Sequence, residues 1–142
     1  MKRNTIVVFL IALFSLTTLW AESGYKGEVD RKTLPELQAQ GAVVVDVRTP
    51  AEWRDTGIIK GSIRITYMDN EGRVDKKAFM EAIKANVNTK DDLIVLVCRT
   101  GVRSKKAASW LAKEGYTNIY NKTHGIKECM RYNKDKLTKN FY

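Results

Sequence analysis

The 142 residues, 44% of them apolar, suffice for one domain with a real core and need no second. The formal charge of +9 suits small anionic ligands. One histidine and two distant cysteines make no histidine- or cysteine-based metal site. The chain contains no phosphate loop, dinucleotide fingerprint, nucleic-acid-binding motif or internal repeat, so neither a cofactor nor a nucleic-acid partner is expected.

In chain order, Lys2 and Arg3 lead into the apolar run Thr5 to Trp20, closed by the small residue Ala21. That is the pattern of a secretory signal peptide over residues 1–21; the run, interrupted by Ser15, Thr17 and Thr18, is short for a bilayer span. Cleavage would leave a periplasmic or otherwise secreted domain at 22–142 without a stable membrane span. Ser23 to Gly27 then reads as a loose leader and Glu28 to Asp30 as a short edge strand. A helix is expected over Thr33 to Gln40, with Thr33 as N-cap, Pro35 in its first turn and Gly41 as its stop.

Ala42 to Arg48 reads as a buried strand whose end carries Asp46 and Arg48, with Glu52 one helical turn further on. This arrangement predicts that Arg48 pairs with Glu52 and pins the Pro50 to Trp53 turn, leaving Asp46 to hold a loop arginine or a backbone N–H. Ser62 to Thr66 is the third expected strand and Tyr67 to Arg73 a polar loop. Asp75 should cap a helix reaching Asn86, with Phe79, Met80 and Ile83 on its core face.

Leu93 to Val97 is an uninterrupted apolar run, which predicts a strand buried on both faces in a parallel sheet covered by helices. It stops at Cys98 and runs into the cationic turn Arg99-Thr100-Gly101-Val102-Arg103. A helix is expected next over Ser104 to Glu114, with Ser104 as N-cap and Gly115 as its stop. At the carboxyl edge of such a sheet, the N–H groups of the turn and the positive end of the helix dipole converge, which holds a thiol at position 98 as thiolate. Arg103, Lys105 and Lys106 stand where a helix start prefers acids, at a cost of roughly a few tenths of a kcal/mol that a bound anion would remove. Tyr116 to Asn121 is the fifth expected strand. Thr123 to Ile126 is a turn with His124 in it, and Gly125 to Tyr132 a helix that buries Cys129 as a small core residue. Residues 134–142 read as a frayed basic tail.

Cys98 to Arg103 resembles the six-residue active-site loop of the rhodanese-like sulfurtransferases. Asp46-Val47-Arg48 with Glu52, Gly57-Ile58-Ile59-Lys60-Gly61-Ser62-Ile63, and His124-Gly125-Ile126 are similar to further segments of that domain. Ile58 stands where a histidine is usual and His124 in place of a glycine. The resemblance covers about residues 27–133. It implies an α/β protein, a three-layer α/β/α domain with a central five-stranded, mostly parallel sheet in the order 1-5-4-2-3. It also implies transfer of sulfane sulfur, through a Cys98 persulfide, from thiosulfate or a similar anionic donor to cyanide or a thiol acceptor.

In that reading Arg99 and Arg103 bind the sulfonate end of the donor, and the backbone of Thr100, Gly101 and Val102 completes the loop. Asp46, Arg48, Glu52 and Ser104 support it. Both cysteines are expected free, since a disulfide would end this chemistry. One alternative is a binding module of the same fold without turnover. Another is a cysteine-dependent phosphatase or arsenate reductase, against which loop length speaks: four residues, not five, separate Cys98 from Arg103.

Overall fold

In the computed structural model, which describes residues 23–140, the apolar runs become a five-stranded parallel sheet. Its strands are β1 (Tyr25–Val29), β2 (Val43–Asp46), β4 (Ile63–Arg64), β5 (Ile94–Val97) and β6 (Ile119–Lys122), in the order β1-β6-β5-β2-β4. The short β3 (Ile58–Ile59) leaves this sheet and pairs antiparallel with β7 (Leu137–Thr138). With β3 set aside, the order is the expected 1-5-4-2-3. The helices are α1 (Leu34–Ala39), α2 (Pro50–Thr56), α3 (Lys76–Asn86), α4 (Val102–Lys113) and α5 (Gly125–Tyr132).

The centre of the sheet explains the three layers. All four residues of β5 are fully buried, and their side chains alternate between the faces. Ile94 and Leu96 join Phe79 and Ile83 of α3 and Ala107, Ala108 and Leu111 of α4 in one core. Val95 and Val97 join Leu34 of α1 and Ile126 and Cys129 of α5 in the other. Each such side chain stabilises the fold by roughly 1.5–3 kcal/mol through removal of apolar surface from water. The same alternation carries Cys98 into the α3/α4 core, so the two thiols belong to cores on opposite faces of the sheet and both are free.

Several local expectations are corrected. Tyr25 to Gly27 is not loose, because it forms the first half of β1 against β6. Residues beyond Asn133 are not frayed: Lys134–Lys136 form a 3-10 turn, β7 docks on β3, and Leu137 packs on the α1/α5 core. Gly57 makes this docking possible, since a Cβ there would stand 2.8 Å from the Thr138 carbonyl oxygen. Asp75 does cap α3, accepting the Ala78 N–H at 2.9 Å. Thr33, at the start of α1, donates its hydroxyl to Asp30, whose carboxylate also takes the N–H groups of Lys32 and Thr33. The expected signal peptide lies outside the described residues. Among the described residues, no helix is long and apolar enough to cross a membrane.

Candidate active site

Strand β5 delivers Cys98 to the carboxyl edge of the sheet, and α4 begins four residues later, at Val102. The helix therefore starts two residues earlier than expected. Gly101, in the left-handed region at φ 97°, occupies the N-cap position, and Ser104 is not the cap. Ser104 instead lies fully buried in the first turn, with its hydroxyl 3.3 Å from Cys98 Sγ. Sγ also accepts the Gly101 N–H at 3.1 Å and is approached by the main-chain N–H groups of Thr100 and Ser104. Burial pushes the thiol pKa up. The hydrogen bonds from Ser104, Thr100 and Gly101 outweigh it, and the thiol ends below its ordinary value.

The N–H groups face the sulfur because the carbonyls of the loop are held elsewhere. The Ile126 N–H donates to the Cys98 carbonyl at 2.8 Å and the Lys127 N–H to the Arg99 carbonyl at 3.0 Å. Asn121 Nδ2 donates to the Gly101 carbonyl at 3.1 Å. In a trans peptide the carbonyl and the next N–H point opposite ways, so capture of the Arg99 carbonyl by α5 turns the Thr100 N–H back toward Sγ. The first turn of α5 comes this close because position 125 is glycine: a Cβ there would stand 2.2 Å from the Cys98 carbonyl oxygen. His124 completes the turn in the left-handed region at φ 57°, as a turn residue.

The charged residues pair differently from expectation. Arg48 holds Asp46, not Glu52: its Nε and a terminal nitrogen bind the carboxylate at 2.9 and 2.7 Å, and both side chains are buried. The other terminal nitrogen donates to Thr56 Oγ1 at 2.7 Å, so the group ties β2 to the end of α2. Asp46 holds no loop arginine, but it does accept a backbone N–H as expected, that of Arg48 at 3.2 Å. Arg48 lies two residues past Asp46, the last residue of β2, and this main-chain bond to the Asp46 carboxylate keeps the two groups together. Glu52 is aimed instead by a capping box, in which Thr49 and Glu52 bond each other's N–H groups.

Glu52 grips Arg103 in a two-pronged pair at 2.8 and 2.6 Å. Burial raises the Glu52 pKa, but the bonds from Arg103 and from the Thr49 main chain overcome it and hold Glu52 at about 2. Arg103 thus joins α4 to α2. Arg99 and Thr100 are exposed on the loop, as is Val102 at 62%, and Arg99 has no ion-pair partner among the described residues.

Of the expected site residues, Cys98, Thr100, Gly101 and Ser104 meet at the sulfur. Glu52 and Arg103 form a pair beside it, and Asp46 and Arg48 form a separate buried pair. Asn121 and Gly125 are further parts of the site, which the expected residues do not include. The glycine within the His124-Gly125-Ile126 turn was the available signal, whereas nothing near Asn121 in the sequence marks it.

Removing the Ser104 hydroxyl should weaken the thiolate. Ser104→Ala is expected to shift the pH at which Cys98 reacts with iodoacetamide upward and to slow alkylation at neutral pH. Loss of an acceptor's donor disfavours the charged form. An unchanged pH profile would show that the main-chain N–H groups alone set the thiol.

The chain is similar to known proteins in sequence and fold. Residues 30–131 match the family model of the rhodanese-like domain. The chain is 35% identical over 96 residues to thiosulfate sulfurtransferase 18 of Arabidopsis thaliana, covering 66% of this chain and 70% of that protein. It is 30% identical over 129 residues to thiosulfate sulfurtransferase/rhodanese-like domain-containing protein 3 of Mus musculus, covering 85% and 82%. The crystal structure of Rv0390 from M. tuberculosis superimposes with a TM-score of 0.61 at 26% identity, over 71% of this chain and 80% of that one.

Proposed function

This chain belongs to the rhodanese-like domain family, and from that premise we propose that it is a sulfurtransferase carrying sulfane sulfur on Cys98. The observation that carries the reading is a buried sulfur surrounded by the Ser104 hydroxyl and the N–H groups of Thr100, Gly101 and Ser104. Such a cradle stabilises first a thiolate and then the anionic outer sulfur of a persulfide.

The Cys98 thiolate attacks the outer sulfur of thiosulfate or a similar donor. The donor's S–S bond breaks, sulfite departs with the bonding electrons, and a Cys98 persulfide remains. Cyanide or a thiolate then attacks the outer sulfur and releases the Cys98 thiolate. No step needs a general base, so Ile58, buried where the family usually has a histidine, is no obstacle.

The donor's sulfonate falls to Arg99, the loop cation with no ion-pair partner among the described residues. The charge of Arg103 is already matched by Glu52. A phosphatase reading has the shorter loop against it, because a tetrahedral ester needs a wider ring of N–H donors than one sulfur does.

Intact-mass measurement after incubation with thiosulfate should find one added sulfur atom on Cys98, removed by cyanide. No adduct at neutral pH, or an adduct on Cys129, overturns the reading. Arg99→Ala should raise the KM for thiosulfate several-fold with a smaller change in kcat, the pattern of a lost ground-state contact. Wild-type kinetics in that variant would leave the donor to the backbone alone.

A further inference from the structure

The first strand of the sheet reaches the sulfur cradle through a chain of hydrogen bonds. Parallel pairing of β1 with β6 sets Glu28 beside Asn121, whose amide nitrogen donates to Glu28 Oε2 at 2.7 Å. The same nitrogen donates to the Gly101 carbonyl at 3.1 Å. Gly101 in turn gives its own N–H to Cys98 Sγ at 3.1 Å. Glycine has more backbone freedom than any other residue, so the Gly101 N–H keeps its direction only while the neighbours of Gly101 restrain it. Its carbonyl takes that restraint from two sides, from Asn121 across the sheet edge and from the Lys105 N–H within α4.

The direction of the Asn121 amide is set in turn by Glu28. Asn121 is only 2% exposed, and its Oδ1 is buried with no hydrogen-bond partner among the described residues. Turning the amide over would bring that oxygen against two acceptors, the Gly101 carbonyl and the Glu28 carboxylate. The carboxylate carries the full negative charge, so it selects the donor end of the amide more strongly than the carbonyl does. Glu28 is itself fixed at both oxygens. Oε1 takes the Tyr25 hydroxyl at 2.7 Å and the Lys105 ammonium at 3.1 Å, and Oε2 takes the Thr123 hydroxyl at 2.9 Å beside Asn121. Burial raises the Glu28 pKa, but the bonds from Tyr25, Thr123, Lys105 and Asn121 overcome it and hold it at about 2. The residue is therefore an anion wherever the thiol titrates.

We propose that Glu28, on the edge strand, is a positioning residue for Cys98: its carboxylate orients the Asn121 amide, which anchors Gly101 and so keeps the Gly101 N–H on the sulfur. Glu28 touches neither the sulfur nor a substrate. The role rests on the reading of Cys98 as the sulfur carrier and adds what holds one of its thiolate donors in place.

The rate of Cys98 alkylation by iodoacetamide, followed across pH, tests this without requiring any sulfur transfer. Glu28→Ala should move the half-reaction pH upward by about half a unit and slow alkylation at neutral pH about threefold. A purely through-space effect has the opposite sign, because removing a negative charge near Cys98 favours the thiolate and moves the profile down. Glu28→Gln keeps an oxygen for the Asn121 nitrogen and should restore most of the wild-type profile. Adding Glu28→Ala to Asn121→Ala should change nothing further, since the two residues act in series. Glu28 is 39% exposed, and thermal unfolding of Glu28→Ala should show the fold retained.

An unchanged or downward-shifted profile in Glu28→Ala overturns the proposal. So does a Glu28→Gln variant as impaired as Glu28→Ala, or an additive effect in the double variant. Sulfur uptake from thiosulfate should fall in Glu28→Ala by the same factor as alkylation. A wild-type protein that takes up no sulfur ends the sulfurtransferase reading and leaves the alkylation profiles to decide the role of Glu28.

Discussion

Cys98→Ser is expected to abolish both the thiosulfate adduct and turnover, while Cys129→Ser keeps both. A serine hydroxyl in the same cradle stays neutral and gives up the nucleophile on which the sequence of displacements depends. Cys129 is also buried, but burial raises its pKa, no cradle of N–H groups offsets that, and it belongs to the core on the other face of the sheet. Its replacement places a hydroxyl among apolar neighbours, at a cost of about 1–3 kcal/mol in stability and none in chemistry. Intact mass and thermal unfolding of the two variants check this. An adduct persisting in Cys98→Ser, or lost in a folded Cys129→Ser, would contradict the assignment.

How much of this was legible in the sequence depends on the range of the interaction involved. Strand β5 and the cysteine that ends it were legible because five apolar residues with no polar partner fit little else than a central parallel strand. Helix α5 was legible to the residue, since its boundaries are set by the local Gly125 and Asn133. The partners of Arg48 and Glu52 differ from the expected pair, Arg48 binding Asp46 and Glu52 binding Arg103. Of the available signals, the Thr49-x-x-Glu52 capping box was the one passed over. It fixes the Glu52 carboxylate before any partner is chosen, and so leaves Arg48 to its neighbour on the strand.

The last residues were read as a tail because a two-residue strand such as Leu137–Thr138 has no pattern of its own. It exists only through β3, nearly eighty residues earlier, and through the space left at Gly57. The cradle falls between these cases. Its donors lie within Cys98 to Ser104, but their direction comes from α5 and Asn121, which take the carbonyls and leave the N–H groups to the sulfur.

That division of labour makes Gly125, which touches no substrate, the residue whose change should disturb Cys98 most after Cys98 itself. In Gly125→Ala the new Cβ would meet the Cys98 carbonyl oxygen at 2.2 Å and the Arg99 carbonyl carbon and oxygen at 2.7 Å. These are main-chain atoms of the loop, which yield only if the loop moves. Moving it detaches the Cys98 and Arg99 carbonyls from α5, so the N–H groups lose the constraint that aims them at Sγ. The thiol should then titrate nearer its ordinary value, and sulfur uptake from thiosulfate should fall by about two orders of magnitude, as when an anion-stabilising donor is lost from a preorganised site.

The left-handed backbone at φ 51° adds about 1–2 kcal/mol of strain for any side chain. Gly41→Ala separates that strain from the contact, because Gly41 has φ 90° with nothing within 4 Å of its Cβ position. It should lose comparable stability and keep wild-type thiol titration and sulfur uptake. If Gly125→Ala behaves like Gly41→Ala, less stable yet with an unperturbed thiol, then α5 does not aim the cradle, and the loop must hold its N–H groups on the sulfur by its own conformation.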